Sequence, residues 1–154
     1  MKPIQFTKDG FQSLKQEYAD LIGSKRADAI ARLAKARAMG DLSENSEYVA
    51  AKEDLSFIEG RIQEIEMLMQ NAVVMDNNMT GNIDIGTEVI VEKDSKNETY
   101  YIVGEFEADP MSKKLSATSP IGKALLGKKK GDTVTVEVPA GKLNFRIIEV
   151  KQAA

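Results

Sequence analysis

Residues 36–55 read ARAMGDLSENSEYVAAKEDL, and they indicate how the first half of the chain is organised. Its two ends have the composition of helices, whereas Gly40, Asp41, Ser43 and Glu44 lie close together in its middle. Glycine is favoured where a helix ends in a left-handed turn, and Asp or Ser is favoured where the next helix begins. The stretch therefore predicts two helices joined by a short turn, GDLSEN, which we call the tip.

The segments on either side of the tip carry a coiled-coil pattern. After it, apolar residues recur at alternating spacings of three and four over more than three heptads, which is typical of an a/d seam. Before it the same spacing occurs, slips near Gly23 and resumes. We predict one helix over about residues 8–39, starting after Thr7, and a second over about residues 43–75. The seam residues are Phe11, Leu14, Tyr18, Leu21, Ile22, Ala29, Leu33 and Ala36 before the tip, and Tyr48, Ala51, Leu55, Ile58, Ile62, Ile65, Met69 and Ala72 after it.

Two long helices with only a few residues between them must run antiparallel. At about 1.5 Å of rise per residue, each helix would be roughly 45 Å long. A small domain is seldom that long in one direction, so we expect the hairpin to project with the tip at its far end. Folding does not require such an arm, whereas a probe that reaches into a cavity does.

The second half of the chain follows a different pattern. Residues 76–82, DNNMTGN, are rich in turn formers and predict a linker, so we divide the chain into domains at residues 1–76 and 77–154. Ser119 and Pro120 fit the N-cap and first position of one short helix, which Gly127 would end. Short β-branched runs predict strands at residues 87–92, 99–105, 114–117, 133–138 and 143–151. This half is predicted to be a small α+β domain of antiparallel strands and one helix.

The composition excludes several kinds of chemistry. The 154 residues include no Cys and no His, so disulfides, Cys/His zinc sites and Ser-His-Asp or Cys-His nucleophiles are ruled out. The formal net charge of −3 argues against binding duplex nucleic acid by bulk charge. The N-terminus does not resemble a signal peptide, and no apolar run approaches a membrane span. We expect a cytoplasmic protein that does not interact with membranes.

The tip has two interpretations from its residues alone. In the first, it is only a turn, in which Gly40 ends one helix, Asp41 or Ser43 caps the next, and Glu44 completes a capping box. In the second, Asp41 and Glu44 lie three residues apart and face the same way, and with the Ser43 hydroxyl they form an oxygen-only cluster that suits Mg²⁺. Such a cluster is too small to hold the ion alone, so another molecule would have to supply the remaining ligands.

Beyond these patterns, two parts of the chain resemble one known family. The segment ARAMGDLSENSEYVAAKEDLSFIEGRI closely resembles the tip and flanks of the bacterial transcript cleavage factors of the Gre family, whose usual core is G-D-L-x-E-N-x-E-Y. The segments VGEFEAD and LSATSPIGKALLGKKKGDTVTVEVPAG resemble the C-terminal domain of that family. The resemblance extends over about residues 1–150. Departures are small: Ser46 stands where Ala is common, and Ser43 where Lys or Ser occurs.

The resemblance implies an N-terminal antiparallel coiled coil and a C-terminal domain of FKBP-like fold. The C-terminal domain would dock at the rim of the secondary channel of bacterial RNA polymerase, and the coiled coil would enter the channel. Asp41 and Glu44, supported by Ser43 and Asn45, would then help to hold the second Mg²⁺ of the polymerase active site, so that the backtracked RNA 3′ end is cut. The protein would be a monomer, with no catalytic centre and no cofactor of its own, and would bind no metal in isolation.

The resemblance also implies roles for residues away from the tip acids. Arg37 and Lys52 would contact the extruded RNA 3′ segment, although a solvated coiled-coil face remains the alternative interpretation. The basic patch is modest and Leu42 is not Arg, which favours the type of factor linked to short cleavage products. Ser119, Pro120 and Ile121 match the polymerase-docking segment. The lysine run at residues 128–130 is interpreted as a solvated turn without a role.

Two other functions compete with a cleavage factor. The first is a regulator of the same fold that occupies the channel and inhibits polymerase. The intact D-x-x-E followed by Asn argues against it. A plain interaction scaffold is the second. A scaffold would tolerate Asp41→Ala and Glu44→Ala apart from a capping loss of about 1 kcal/mol.

Overall fold

The computed structural model describes residues 2–40, 45–75 and 81–152. The chain divides into two compact units. One unit is Gln12–Asn71, which we call the hairpin unit, and the other combines Met1–Phe11 with Ala72–Ala154, which we call the globular unit. The domain boundary expected between residues 76 and 77 lies outside the described residues.

The first arm of the hairpin is not one continuous helix. It consists of α1 (Lys8–Asp20), a π-helical turn (Leu21–Lys25) and α2 (Arg26–Arg37). The backbone leaves helical geometry at Gly23, with φ −85° and ψ −112°, and the amide of Arg26 donates to the carbonyl of Leu21 five residues back. A π-turn accommodates one extra residue.

The extra residue explains the slip in the seam. Buried seam residues are seven apart from Leu14 to Leu21, eight apart from Leu21 to Ala29, and seven apart again from Ala29 to Ala36. The slip predicted near Gly23 is therefore confirmed. The prediction that Ile22 belongs to the seam is wrong, because its side chain is 43% exposed.

The second arm is α3 (Ser46–Gln70), which begins and ends within the predicted range of 43–75. Leu68 is buried in the seam, whereas the predicted Met69 is only half-buried. After α3 the chain forms β2 (Ala72–Val74), which pairs in parallel with β1 (Ile4–Phe6). This pairing ends the helix before residue 75, and it was not predicted because the two strands are short and far apart in sequence.

Polar contacts join the two arms beside the seam. Both side-chain oxygens of Glu17 accept from the guanidinium of Arg61, at 2.6 and 2.7 Å. This hydrogen bond lowers the pKa of the Glu17 carboxyl, although partial burial opposes the shift. The hydroxyl of Tyr18 donates to Glu66 at 2.9 Å. These pairs join helices α1 and α3 and are consistent with the predicted antiparallel arrangement.

The start of α1 is held within the globular unit by Glu107. Its carboxylate accepts from the amide of Thr7 at 2.8 Å and from the amide of Gly104 at 3.2 Å, and it also accepts from the Thr7 hydroxyl. The same hydroxyl accepts from the amide of Gly10 at 3.0 Å, so the predicted helix start after Thr7 is confirmed. Glu107 lies a hundred residues away in sequence, which is why no local pattern indicated it.

The globular unit is built on a curled five-stranded sheet of order β5-β4-β3-β7-β6. Its pairs are antiparallel except β4 with β5, which is parallel. The prediction of a purely antiparallel sheet is therefore wrong at this edge, where the chain crosses over through two 3₁₀ turns before it enters β5. The strands are β3 (Thr87–Lys93), β4 (Lys96–Val103), β5 (Lys114–Ser116), β6 (Thr133–Val138) and β7 (Gly141–Gln152).

Within the globular unit, the short helix α4 (Pro120–Leu125) packs against β5 and β6. Leu125 is fully buried, and a Cβ on Gly122 would lie 2.0 Å from the carbonyl oxygen of Ser116, so only glycine fits there. The core contains Ile83, Ile85, Val89, Val91, Ile102, Ala117, Leu125, Val134, Val136, Phe145 and Ile147. The α+β organisation expected from the sequence is confirmed. Across the described ranges, no helix combines the length and apolar character needed to cross a membrane.

Candidate functional site

The tip is framed by the end of α2 and the start of α3. The candidate metal-binding residues Asp41, Ser43 and Glu44 lie outside the described residues, between Gly40 and Asn45. The structure does describe the residues on either side, up to Gly40 just after α2 and from Asn45 just before α3.

Asn45 joins the two helix ends at the tip. Its Oδ1 accepts from the amide of Tyr48 at 3.1 Å, which makes Asn45 the N-cap of α3. Its Nδ2 donates to the carbonyl of Ala36, in the last turn of α2, at 2.9 Å. One amide side chain thus satisfies a backbone donor of one helix and a backbone acceptor of the other.

The assignment of the α3 cap to Asp41 or Ser43 is therefore wrong. The helix begins later than predicted, at Ser46, and Asn45 is the cap. All three residue types are good caps, so propensity did not distinguish between them. The consequence for function is that the N-terminus of α3 has its capping side chain without the carboxylates of Asp41 and Glu44.

The end of α2 has the expected geometry. The amide of Ala38 donates to Ala34 and that of Met39 to Ala36, each at 3.2 Å. Gly40 follows with φ +114°, a conformation that L side chains rarely adopt. The prediction that Gly40 ends this arm with a positive φ is confirmed.

A salt bridge crosses between the helices close to the tip. Arg32 on α2 holds the Glu47 carboxylate through two hydrogen bonds of 2.7 and 3.2 Å, and Asp54 lies 3.9 Å from the same guanidinium. The hydrogen bond from Arg32 lowers the pKa of the Glu47 carboxyl. Sequence reasoning missed Glu47, because its partner becomes apparent only once the antiparallel register of the two arms is known.

The two residues predicted to contact RNA lie on one side of the tip. The Arg37 guanidinium stands over the Tyr48 ring, 6.0 Å from its centroid. Lys52 follows Tyr48 by four residues on α3, so both side chains lie on the same helix face. Arg37 and Lys52 are exposed. Two other basic residues of the arm are engaged: Arg26 contacts Glu59, and Arg32 contacts Glu47.

The predicted docking segment forms a fixed corner at the start of α4. The Ser119 hydroxyl accepts from the amide of Gly122 at 3.1 Å and donates to the carbonyl of Ser116 at 2.7 Å. The predicted N-cap and the Pro at the first helical position are confirmed. Pro120 is exposed and Ile121 is half-buried against the core. Outside the tip acids, the described ranges contain no group of three potential metal-ligating side chains.

Comparisons with known proteins cover nearly the whole chain. A family model described as transcription elongation factor, N-terminal, matches residues 4–74, and one described as transcription elongation factor, GreA/GreB, C-term, matches residues 78–152. The transcription elongation factor GreA of Thermoanaerobacter pseudethanolicus is 48% identical, over 98% of this chain and 99% of the relative.

Further relatives extend this likeness. GreA of Caldanaerobacter subterraneus is 47% identical, over 98% of this chain and 99% of its own length. Among solved structures, the GreA factor homolog 1 (Gfh1) of Thermus thermophilus shares 28% identity at a TM-score of 0.47, covering 97% of this chain and 99% of that one. From the two family models and the full-length relatives, the chain belongs to the GreA/GreB family of transcription elongation factors.

Proposed function

We propose that the protein is a transcription elongation factor that binds bacterial RNA polymerase and stimulates cleavage of the backtracked RNA 3′ end by the polymerase itself. The observation that carries the proposal is the role of Asn45, which caps α3 and bonds to α2. Because Asn45 provides the cap of α3, that cap does not require the carboxylates of Asp41 and Glu44. Family membership identifies transcription as the process.

Asp41 and Glu44 are the proposed ligands contributed by this chain. Two carboxylates suit a Mg²⁺ that keeps further ligands from elsewhere, here from the polymerase. The shared ion would help to activate a water and to stabilise the in-line displacement at phosphorus. Ser43 and Asn45 support the two acids, Ser43 as a neighbouring hydroxyl and Asn45 by fixing where α3 begins.

Arg37 and Lys52 are the proposed RNA contacts. Both are cationic, exposed and on the side of the tip that carries Tyr48. A phosphate backbone is recognised by such charges without sequence preference. They would hold the extruded RNA beside the acids and leave the chemistry to the polymerase.

The globular unit is the proposed docking unit. Ser119, Pro120 and Ile121 form the corner that would contact the rim of the secondary channel, while the tip enters the channel. In this proposal the protein acts as a monomer in the cytoplasm, is not an enzyme, and uses the Mg²⁺ of the polymerase in place of a cofactor of its own. An inhibitor of the same fold is not favoured, because relatives at 42–48% identity are named transcription elongation factor GreA.

The test is RNA cleavage in a backtracked complex of a bacterial RNA polymerase. Wild type is compared with Asp41→Ala and Glu44→Ala, and binding to polymerase is measured in parallel. Glu53→Ala is the matched control, because Glu53 is an exposed acid on α3 away from the tip. We expect cleavage to be accelerated by the wild type and the control, whereas the two tip variants bind without accelerating it. A wild type that binds but slows cleavage would make the protein an inhibitor.

A further inference from the structure

The turn after α4 carries three consecutive lysines that the proposed mechanism does not use. Lys128, Lys129 and Lys130 are exposed, and so is Lys123 on α4 itself. We call these four residues the lysine patch. We propose that the lysine patch is an electrostatic docking surface for an acidic protein surface on RNA polymerase, next to the site that receives Ser119–Ile121. This inference rests on the proposed function.

The turn that bears the patch is attached to the core at both ends. The amide of Gly127 donates to the carbonyl of Ile83 at 2.9 Å, and the amide of Ile83 donates to the carbonyl of Lys128 at 2.7 Å. At the other end, the amide of Gly131 donates to the carbonyl of Ile147 at 2.9 Å. Ile83 and Ile147 are both buried, so the backbone that presents the lysines is fixed.

The glycines on either side allow this tight path. Gly127 has φ +78° and Gly131 has φ +93°. Within the turn, the amide of Lys129 donates to the carboxylate of Asp132 at 3.0 Å, and the amide of Asp132 donates to the carbonyl of Lys129 at 3.1 Å. The nearest acid in sequence is therefore engaged with the backbone of the turn.

The four ammonium groups have no ion-pair partner among the residues that the structure describes. Two other exposed lysines of the globular unit do have one: Lys142 pairs with Glu137 at 3.8 Å, and Lys151 pairs with Glu149 at 3.7 Å. Adjacent like charges repel, so a cluster without counter-charges lowers stability slightly. Because the chain as a whole is acidic, with a net charge of −3, the cluster is not a consequence of composition.

The patch is continuous with the proposed docking corner. Ser119 and Pro120 stand at the first end of α4, and the lysine run starts just beyond its last residue. The amide of Lys128 donates to the carbonyl of Leu125 at 3.1 Å, which keeps the turn against the helix end. A helix of six residues is only about 9 Å long, so one partner surface can contact both ends.

The chemistry of the patch favours an acidic protein over nucleic acid. All four residues are lysines, whereas bidentate recognition of phosphate favours arginine. The patch contains no aromatic side chain on which a base could stack. Mobile, solvated charges at the edge of a docking site act mainly on the association rate, by steering the encounter, and their effect weakens with salt.

The test compares two variants that change the net charge equally. The patch variant is Lys128→Gln/Lys129→Gln/Lys130→Gln, and the control is Lys96→Gln/Lys142→Gln/Lys151→Gln on the same unit. Association and dissociation rates with RNA polymerase are measured at low and at raised salt, after thermal unfolding has shown that both variants are folded. We expect the association rate of the patch variant to fall about 10-fold at low salt and to approach that of wild type as salt rises. Its dissociation rate should change little.

Three results would overturn the inference. If both variants lose association rate equally, the effect belongs to net charge. If neither variant changes it, the patch is a solvated turn. If the patch variant binds polymerase normally but loses binding to a short single-stranded RNA, the patch is a nucleic-acid surface. A failure of the proposed function is distinguishable, because then the wild type itself would not bind polymerase.

Discussion

The hairpin unit and the globular unit bury their residues in different ways. The globular unit has a core of buried apolar side chains from β3, β4, β6, β7 and α4 and from the segments next to β3 and β5. The hairpin unit buries a seam between its two arms, and among the described residues near the tip this seam contains Leu33, Ala36 and Ala51, with Tyr48 and Leu55 beside it. Large apolar side chains are exposed in both units, including Phe57 at 74% in the hairpin unit and Met111 at 93% in the globular unit.

Under the proposed function, this difference separates stabilisation, in the globular core, from activity, at the hairpin tip. Small seam residues keep the hairpin slender near the tip, but they remove little apolar area from water. The end of the hairpin is therefore held by specific hydrogen bonds and charge pairs, those of Asn45 and of Arg32 with Glu47. Substitutions at the tip should reduce activity more than stability, and substitutions in the globular core should do the reverse.

The largest effect is expected from Asp41→Asn and Glu44→Gln. Each change keeps the shape of the side chain and removes the charge that we propose binds Mg²⁺. We expect cleavage stimulation to fall about 100-fold at limiting Mg²⁺, while the free energy of unfolding stays within about 0.5 kcal/mol of wild type. Cleavage rates across a Mg²⁺ titration provide the measurement. Unchanged cleavage rates at low Mg²⁺ would show that Asp41 and Glu44 do not act by binding Mg²⁺.

Two glycines allow a direct comparison of packing in the two units. In the globular unit, Gly122→Ala places a Cβ 2.0 Å from the Ser116 carbonyl, and we expect a loss of about 2–3 kcal/mol of stability. In the hairpin unit, Gly60 lies exposed on α3 and a Cβ added to it would meet no atom within 4 Å, so Gly60→Ala should stabilise by about 0.5–1 kcal/mol. Urea unfolding of both variants measures the two changes in the free energy of unfolding. Equal and small effects would contradict the difference in packing.

Asn45 should show a smaller effect on stability but a clear effect on activity. Asn45→Ala removes the cap of α3 and the bond to α2, and we expect a loss of about 1–2 kcal/mol together with weaker cleavage stimulation. Asn45→Asp is the comparison variant, because it retains the capping oxygen but replaces the donor to Ala36 with a charged carboxylate oxygen. Thermal unfolding and cleavage should rank wild type, Asp and Ala in that order. If Asn45→Ala is as active as wild type, the two hydrogen bonds of the Asn45 side chain do not position Asp41 and Glu44.

The smallest effect concerns the ion pair of Glu17 and Arg61. The pKa of Glu17 is lowered in the folded protein, so the pair contributes stability above the ordinary carboxyl pKa of 4.5, and this contribution is lost as pH falls through the folded pKa. Both side chains are about a third exposed, so we expect only a few tenths of a kcal/mol. Unfolding of wild type and Glu17→Gln across acid pH measures the difference. If the difference in stability between wild type and Glu17→Gln increases below pH 4.5, the lowered pKa of Glu17 is contradicted.

The sequence predicted the elements that depend on local pattern. The seam spacing identified both arms and even the slip at Gly23, and alternation located β6 at residues 133–138. Local patterns did not predict pairings between distant segments, namely β1 with β2, β4 with β5, and Glu107 with Thr7. Three-residue strands carry too little periodicity to be recognised, and a single carboxylate gives no indication of a partner a hundred residues away.

In the candidate site too, features set by single residues were predicted, and contacts between separate segments were not. Gly40, the Ser119 cap and the position of the tip follow from rules about single residues, and they were predicted. The cap of α3 was assigned to the wrong residue, because Asp41, Ser43 and Asn45 all have capping side chains and only the hydrogen bonds distinguish them. The salt bridge of Glu47 with Arg32 depends on the register between two helices, which no single helix pattern contains.

In the proposed function, the globular unit provides binding and the hairpin tip provides activity. This division of roles is measured by titrating wild type, Asp41→Ala/Glu44→Ala and Pro120→Glu into a backtracked polymerase complex and following cleavage rates. Pro120 is exposed at the first turn of α4, where a carboxylate is compatible with the helix dipole. We predict that the tip variant lowers the maximal rate at an unchanged half-saturating concentration, and that Pro120→Glu raises the half-saturating concentration at an unchanged maximal rate. If both variants change the same parameter, the division of roles is wrong.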